Sequence, residues 1–148
     1  YHDNLGKRIT KSPKLFFYDV GLAAVLAGRD REIHAKNRMA YGALFENMII
    51  VDLIKNFYAQ GLRHAITFFR DTNQNEVDLI IELGRKVIPV EIKSSETMNS
   101  SFFDTLLWFQ DQTKNKETAV VVYGGDQNQK RSMGRFVSWK AVEKVYLD

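Results

Sequence analysis

The chain of 148 residues contains no cysteine. A disulfide scaffold, a thiolate zinc site and a cysteine nucleophile are thereby excluded. Long apolar runs are missing too. No stretch approaches the roughly 18 residues of a membrane span, and no charged start followed by an apolar run and a small-residue cleavage site occurs. These absences point to a cytoplasmic protein with no membrane partner. Charge of one sign is scarce, since 21 Lys+Arg against 18 Asp+Glu leave a net +3, only a slight hint of a polyanionic partner. A Gly-x-x-x-x-Gly-Lys-Ser/Thr loop is also lacking, so this segment is not expected to bind ATP by itself. The first residue is Tyr1 rather than Met, and the opening carries no apolar pattern. The expectation is that a longer polypeptide precedes it.

What is present suits a single globular domain. With 45% hydrophobic and 12% aromatic residues, a chain of this size buries roughly 70% of the surface its unfolded form exposes and needs no staple. Residues 1–14 hold Lys7, Arg8, Lys11 and Lys14 with Gly6 and Pro13, a basic lead-in. Asp19 can cap a short helix that Gly28 would close, and residues 29–38 read as a polar loop. Residues 41–58 have the length of a long helix, with Gly61 just beyond. At 100° per residue, Glu46 shares a face with Ile50, Leu53, Ile54 and Phe57, whereas Asp52, Lys55 and Asn56 gather elsewhere. A carboxylate heading an apolar stripe is costly without a partner.

Three strand-like runs follow, residues 65–70, 76–82 and 86–93, separated by polar turns at hairpin distances. Ser101 and Asp104 can start a helix whose face is Phe103, Leu106, Leu107 and Gln110. Residues 118–123 read as a strand buried on both faces, residues 124–135 as a long loop, residues 136–138 as a last strand, and residues 139–144 as a final helical turn or two. No internal repeat is visible. The alternation of helices and strands predicts one α/β domain, a central mixed sheet flanked by helices.

Chemistry concentrates in residues 76–93. Strict alternation puts Asp78, Ile80 and Glu82 on one face, and Val87, Pro89, Glu91 and Lys93 on one face. With residues 83–86 as a four-residue loop Asp78 lies opposite Glu91; with a two-residue turn the two become diagonal neighbours. Paired carboxylates repel unless a cation separates them or one is protonated. Such oxygens suit Mg²⁺, and Lys93 could orient a water or steady charge on a phosphate. A solvated strand face with weak ion pairs is the alternative. Against it stand the apolar flank of Ile88, Pro89, Val90 and Ile92 and the second buried-looking carboxylate, Glu46.

Asp78, followed thirteen residues later by Glu91-Ile92-Lys93 and preceded by Glu46 on a helix, resembles the PD-(D/E)XK nuclease core. The resemblance implies a restriction-endonuclease-like fold in which Glu46, Asp78 and Glu91 bind Mg²⁺ or Mn²⁺, and Asp78, Glu91 and Lys93 are catalytic. Val77 stands where the Pro that names the motif would be. A narrower resemblance spans most of the chain, in the blocks Lys11-Ser12-Pro13-Lys14-Leu15-Phe16-Phe17-Tyr18-Asp19-Val20-Gly21-Leu22, Gly42-Ala43-Leu44-Phe45-Glu46-Asn47, Phe69-Arg70-Asp71, Glu76-Val77-Asp78-Leu79 and Pro89-Val90-Glu91-Ile92-Lys93-Ser94-Ser95. These look like the uncharacterised C-terminal domain of a prokaryotic AAA+ ATPase family. This implies that residues 1–40 join an ATPase module of the same polypeptide and that residues 41–148 form the nuclease-like domain.

DNA is then the expected partner, with Arg70, Lys130 and Arg131 as candidate backbone contacts and Arg135 nearby. His2, His34 and His64 show no ligand spacing, and Trp108 and Phe109 read as core rather than base-stacking platforms. Two functions compete: metal-dependent phosphodiester hydrolysis on DNA, and a catalytically inactive module that binds nucleic acid or protein and regulates the ATPase.

Overall fold

The first helix begins where the sequence supplies a cap. In the computed structural model, which describes residues 14–27, 38–62 and 65–147, the Asp19 carboxylate accepts a hydrogen bond from the Leu22 amide at 2.9 Å and starts α1 (Val20–Leu26). Helix α2 (Arg38–Ala59) is the long helix expected from the sequence. It stops in a left-handed turn at Gly61, φ +65°. There the Gly61 amide donates to the Tyr58 carbonyl and the Leu62 amide to the Phe57 carbonyl, so carbonyls orphaned by the helix end are satisfied. Lys7, Arg8, Lys11, Pro13, Gly28, residues 29–37, His2, His34 and His64 lie outside the described residues.

Six strands form one mixed sheet in the order β1-β2-β3-β4-β6-β5. Strands β1 (Ala65–Arg70), β2 (Glu76–Leu83) and β3 (Lys86–Lys93) are an antiparallel meander. A 3₁₀ turn (Ser100–Phe103) and α3 (Asp104–Thr113) carry the chain over the sheet to β4 (Val120–Tyr123), which pairs parallel with β3. Strand β6 (Gly134–Ser138) adds in parallel to β4, and β5 (Gln129–Arg131) closes the edge antiparallel to β6. A kinked 3₁₀ segment, Trp139–Val145, ends the fold. The mixed α/β architecture matches the sequence expectation. No helix among the described residues is long and apolar enough to cross a membrane.

Each sheet face has its own core. Against α2 pack Leu79, Ile81, Ile88, Val90, Ile92, Val120 and Val122, meeting Phe45, Ile49, Leu53 and Phe57. Against α3 pack Val77, Ile80, Val121, Tyr123 and Phe136, meeting Phe103, Leu106 and Phe109. Pro89 fits this central position because the β3/β4 ladder begins only at Val90, so no neighbour asks for the amide that proline lacks. Asn115 covers the open edge just before it, donating from Nδ2 to the Val87 carbonyl at 2.8 Å.

Two expectations need correction. Residues 124–135 are not one loop, since β5 and the start of β6 lie within them. Strand β5 is wholly exposed, and an edge strand with no buried face leaves no apolar alternation to detect. The buried face runs from Phe103 at the end of the 3₁₀ turn to Leu106 and Phe109 of α3, all 0% exposed, whereas Leu107 is 40% exposed. The preceding 3₁₀ turn, capped by the Asn99 side chain, advances at three residues per turn and shifts the phase. Phe109→Ala is therefore expected to destabilise by about 3–5 kcal/mol and Leu107→Ala by less than about 1 kcal/mol in urea unfolding. Comparable losses would place the α3 face wrongly.

Candidate acidic site at the open end of the hairpin

A β-bulge builds the site. Between β1 and β2, Thr67 pairs with Ile80 and Phe69 pairs with Val77, so Asp78 and Leu79 together oppose Phe68. The extra residue breaks the alternation: Val77 and Ile80 both face α3, whereas Leu79 and Ile81 face α2. The expected sharing of a face by Asp78, Ile80 and Glu82 thus fails at Asp78.

The hairpin register is the directly opposed one, although it is reached through a two-residue turn at Gly84-Arg85 rather than a four-residue loop. Leu83 pairs with Lys86 and Leu79 with Val90, and one step further along that register Asp78 comes abreast of Glu91. Backbone pairing ends there. The Ile92 amide donates to Asp78 Oδ2 at 2.8 Å, so a side-chain carboxylate takes the place of a strand carbonyl where β2 and β3 part.

Glu91 alternates with Val90 and Ile92, which pack toward α2, and so leaves the sheet on the face of its register partner Val121. It is only 6% exposed. Its Oε1 accepts from Lys93 Nζ at 2.5 Å, while its buried Oε2 has no hydrogen-bond partner. Burial pushes the Glu91 carboxyl up against the opposing pull of Lys93. Burial also pushes the Asp78 carboxyl up to about 7, with the Glu91 charge adding to it and the Ile92 amide opposing it. Burial alone would lower the Lys93 ammonium. Its hydrogen bond to Glu91 and the charges of Glu91, Asp78 and Glu46 outweigh that and hold it above its usual value.

Glu46 enters from α2, half-buried, and its charge reaches Asp78 and Glu91, raising both. It has a partner that the sequence did not reveal. Lys14 Nζ pairs with Glu46 Oε1 at 3.0 Å and also with Glu76 Oε1, and it lies 5.4 Å from the centre of the Phe68 ring. Glu76 was not singled out as a site residue from the sequence either; it joins the site through Lys14, as register partner of Arg70, and through its charge, which helps raise Glu91. Arg70 Nε stands 3.5 Å from Glu76 Oε2, so its charge is directed at a carboxylate.

The remaining candidates lie elsewhere. Lys130 and Arg131 sit on β5, beyond β4 and β6 from the acidic cluster. The Arg131 guanidinium is 5.1 Å from the Phe136 ring centre, and Arg135 donates to the Val145 and Leu147 carbonyls. Phe109 is core, as expected, and Trp108 packs half-buried against Phe69. A cleft of about 780 Å³ between α1, α2 and the Gly124-Gly125 turn is lined by Tyr41, Leu44, Phe45 and Trp139 among others, but by none of Glu46, Asp78, Glu91 and Lys93. Volume and chemistry are thus in different places, and the charged geometry marks the functional candidate.

Among the described residues no three His, Asp or Glu side chains come close enough to hold one metal ion. The reason is topological: Glu46 and Glu76 approach from the α2 side, Glu91 stands on the other face, and Asp78 lies in the gap. Asp78 with Glu91 still fits a divalent ion that keeps most of its waters, because the Glu91 Oε2 orphan is a buried oxygen in need of a cation or proton.

Residues 41–142 match the family described as a domain of unknown function, DUF4143, and the chain belongs to that family. It is similar to the uncharacterized proteins Mb2031c of Mycobacterium bovis and Rv2008c of Mycobacterium tuberculosis. Each is 30% identical over 98 residues, covering 66% of this chain and 21% of the relative. The matched segment therefore spans about a fifth of those proteins. No solved structure matches the chain.

The raised carboxyl predicts a pH dependence. Native Asp78 holds its proton up to about pH 7, whereas the same carboxyl in the unfolded chain releases it near its ordinary 3.8. Its contribution to stability is therefore fully present below about pH 4 and is lost as the pH rises toward 7. Asp78→Asn retains an acceptor for the Ile92 amide and removes the charge. In metal-free urea unfolding it should flatten this slope and stabilise the neutral protein by about 1–3 kcal/mol. An unaltered slope would show that Asp78 is not the buried acid described.

Proposed function

We propose that the domain is a nuclease-like module with a restriction-endonuclease-like core. It hydrolyses phosphodiester bonds of DNA with Mg²⁺ or Mn²⁺, in the cytoplasm of a prokaryote and attached to an AAA+ ATPase module of the same polypeptide. The observation that carries this reading is the buried, partnerless Glu91 Oε2 abreast of Asp78 where the β2/β3 ladder opens, with the Lys93 ammonium held beside it. The resemblance of Glu46, Asp78 and Glu91-Ile92-Lys93 to the PD-(D/E)XK core supports it independently.

Asp78 and Glu91 would hold the ion through carboxylate oxygens, the ligand type that Mg²⁺ and Mn²⁺ prefer. A bound divalent ion supplies Lewis acidity toward a phosphoryl oxygen and lowers the pKa of water. Asp78 keeps its position because the Ile92 amide fixes one oxygen, leaving the other for ligation. Lys93 stays cationic, so it orients the attacking water and steadies the charge growing on the phosphate instead of removing a proton. Arg70, 39% exposed at the rim, is placed to guide the DNA backbone.

A second reading, a catalytically inactive regulatory module of the ATPase, is favoured by the engagement of Glu46 with Lys14 and by the lack of a three-ligand cluster among the described residues. Calorimetric titration with Mn²⁺ separates the two, since no binding at millimolar metal would favour the module. The nuclease reading expects cleavage of DNA that needs Mn²⁺ or Mg²⁺ and is abolished by EDTA. Asp78→Ala and Lys93→Ala should each lower the rate by about a hundredfold or more. Cleavage that persists in either variant sinks the assignment.

A further inference from the structure

Strands β3, β4 and β6 run parallel, so their carboxyl ends open at one end of the sheet. Beyond those ends the chain reaches Glu96, then Gly124-Gly125 and Asp126, then Trp139 and Lys140, and all of these line the cleft of about 780 Å³. Open α/β sheets take their ligands in the crevice outside the carboxyl ends of parallel strands. The acidic site stands at the same end. Lys93 is the last residue of β3, and Glu96 follows it by three residues, at most about 11 Å of chain. On α2, Glu46 directly follows Phe45, which lines the cleft.

Backbone and rings shape this cleft. A Cβ at Gly124 would come within 2.6 Å of the Ser94 carbonyl oxygen and one at Gly125 within 2.7 Å of the Glu96 carbonyl oxygen, so glycine lets the two exit loops close on each other. From α1 come only Val20, Gly21 and Ala24, which leaves the space open. Tyr41, 37% exposed, stands 6.4 Å from Phe45 between ring centres, and half-buried Trp139 supplies a further ring. Lys140 pairs with Asp126 Oδ1 at 2.8 Å and lies 5.6 Å from the Trp139 ring centre. With Glu96 the lining therefore carries one negative charge in excess. That repels a phosphate, whereas a planar uncharged group can lie on the rings and offer N–H donors to the carboxylates.

We infer that the cleft receives an unpaired nucleobase from a DNA strand whose phosphate lies at Asp78, Glu91 and Lys93. The base stacks on Tyr41 and Trp139 and turns its amino edge to Glu96 and Asp126, while its phosphates stay outside the cleft. A base within a duplex cannot enter such a space, and extruding it costs its pairing and stacking. A strand that is already unpaired is therefore the better ligand. This rests on the nuclease reading given above and narrows its substrate to single-stranded DNA, or DNA with an unpaired nucleotide beside the scissile phosphate.

Fluorescence anisotropy of the full chain with a labelled DNA oligonucleotide is the test, in EDTA so that no cleavage intervenes and with folding checked by circular dichroism. The single strand should bind about tenfold more tightly than the fully paired duplex of the same sequence. Trp139→Ala and Tyr41→Ala should each weaken single-strand binding by about tenfold and narrow the preference over duplex, while Trp139→Phe should keep most of it. Photocrosslinking of a strand carrying iododeoxyuridine should label Tyr41 or Trp139. Equal affinity for single strand and duplex, or single-strand binding unchanged in both folded alanine variants, overturns the inference. Metal-dependent cleavage at equal rates on the two substrates overturns this inference alone. Single-strand binding that depends on Trp139, without metal-dependent cleavage of any DNA, supports the base site and overturns the nuclease reading. No binding of either DNA overturns both.

Discussion

The hydrogen bond from the Ile92 amide to the Asp78 carboxylate is the constraint on which the acidic end of the molecule is organised. A strand amide buried among Val90, Val122 and Leu79 must find an acceptor. The bulge removes the backbone carbonyl that regular pairing would offer, and a carboxylate takes its place. One bond thus closes the sheet at the point where it opens, and it pins an acid in the gap between two packed faces. The raised Asp78 carboxyl, the partial burial of Lys93 and the stranded oxygen of Glu91 all follow from that opening.

Charges in such a place cost several kcal/mol each unless they are paired. The chain meets this cost with ion pairs: Lys93 for Glu91 within β3, Lys14 for Glu46 and Glu76, and Arg70 for Glu76 from the rim. Glu91 Oε2 is the exception. A sheet that neutralises most of a buried acidic group and leaves one oxygen unsatisfied holds strain that a hydrophobic substitution would relieve.

Much of this was legible in the sequence. Alternation and turn residues located the meander to within a residue, Asp19 announced the first helix, and the spacing of Glu46, Asp78, Glu91 and Lys93 singled out side chains whose charges do act on one another. Other features were illegible for physical reasons. The bulge depends on how β1 docks, which no local pattern in β2 records. Lys14 lies 32 positions before Glu46 in a basic stretch that reads as a linker. Strand β5 is polar on every side chain, so it gives no period. The α3 face was displaced because a 3₁₀ turn precedes the helix and changes the phase.

The Pro89 position in β3 bears on how the site is spaced. Before Val90 the strand is held by β2 on one side and by the Asn115 side chain on the other, and from Val90 onward β4 takes over that second side. A slip of one residue at Gly84-Arg85 would carry Asp78 about 3.4 Å along the strand from Glu91 and would turn the buried Leu79 and Ile81 to the wrong face, so the core holds the register. The turn works as a gauge block: its length sets the gap between the two carboxylates.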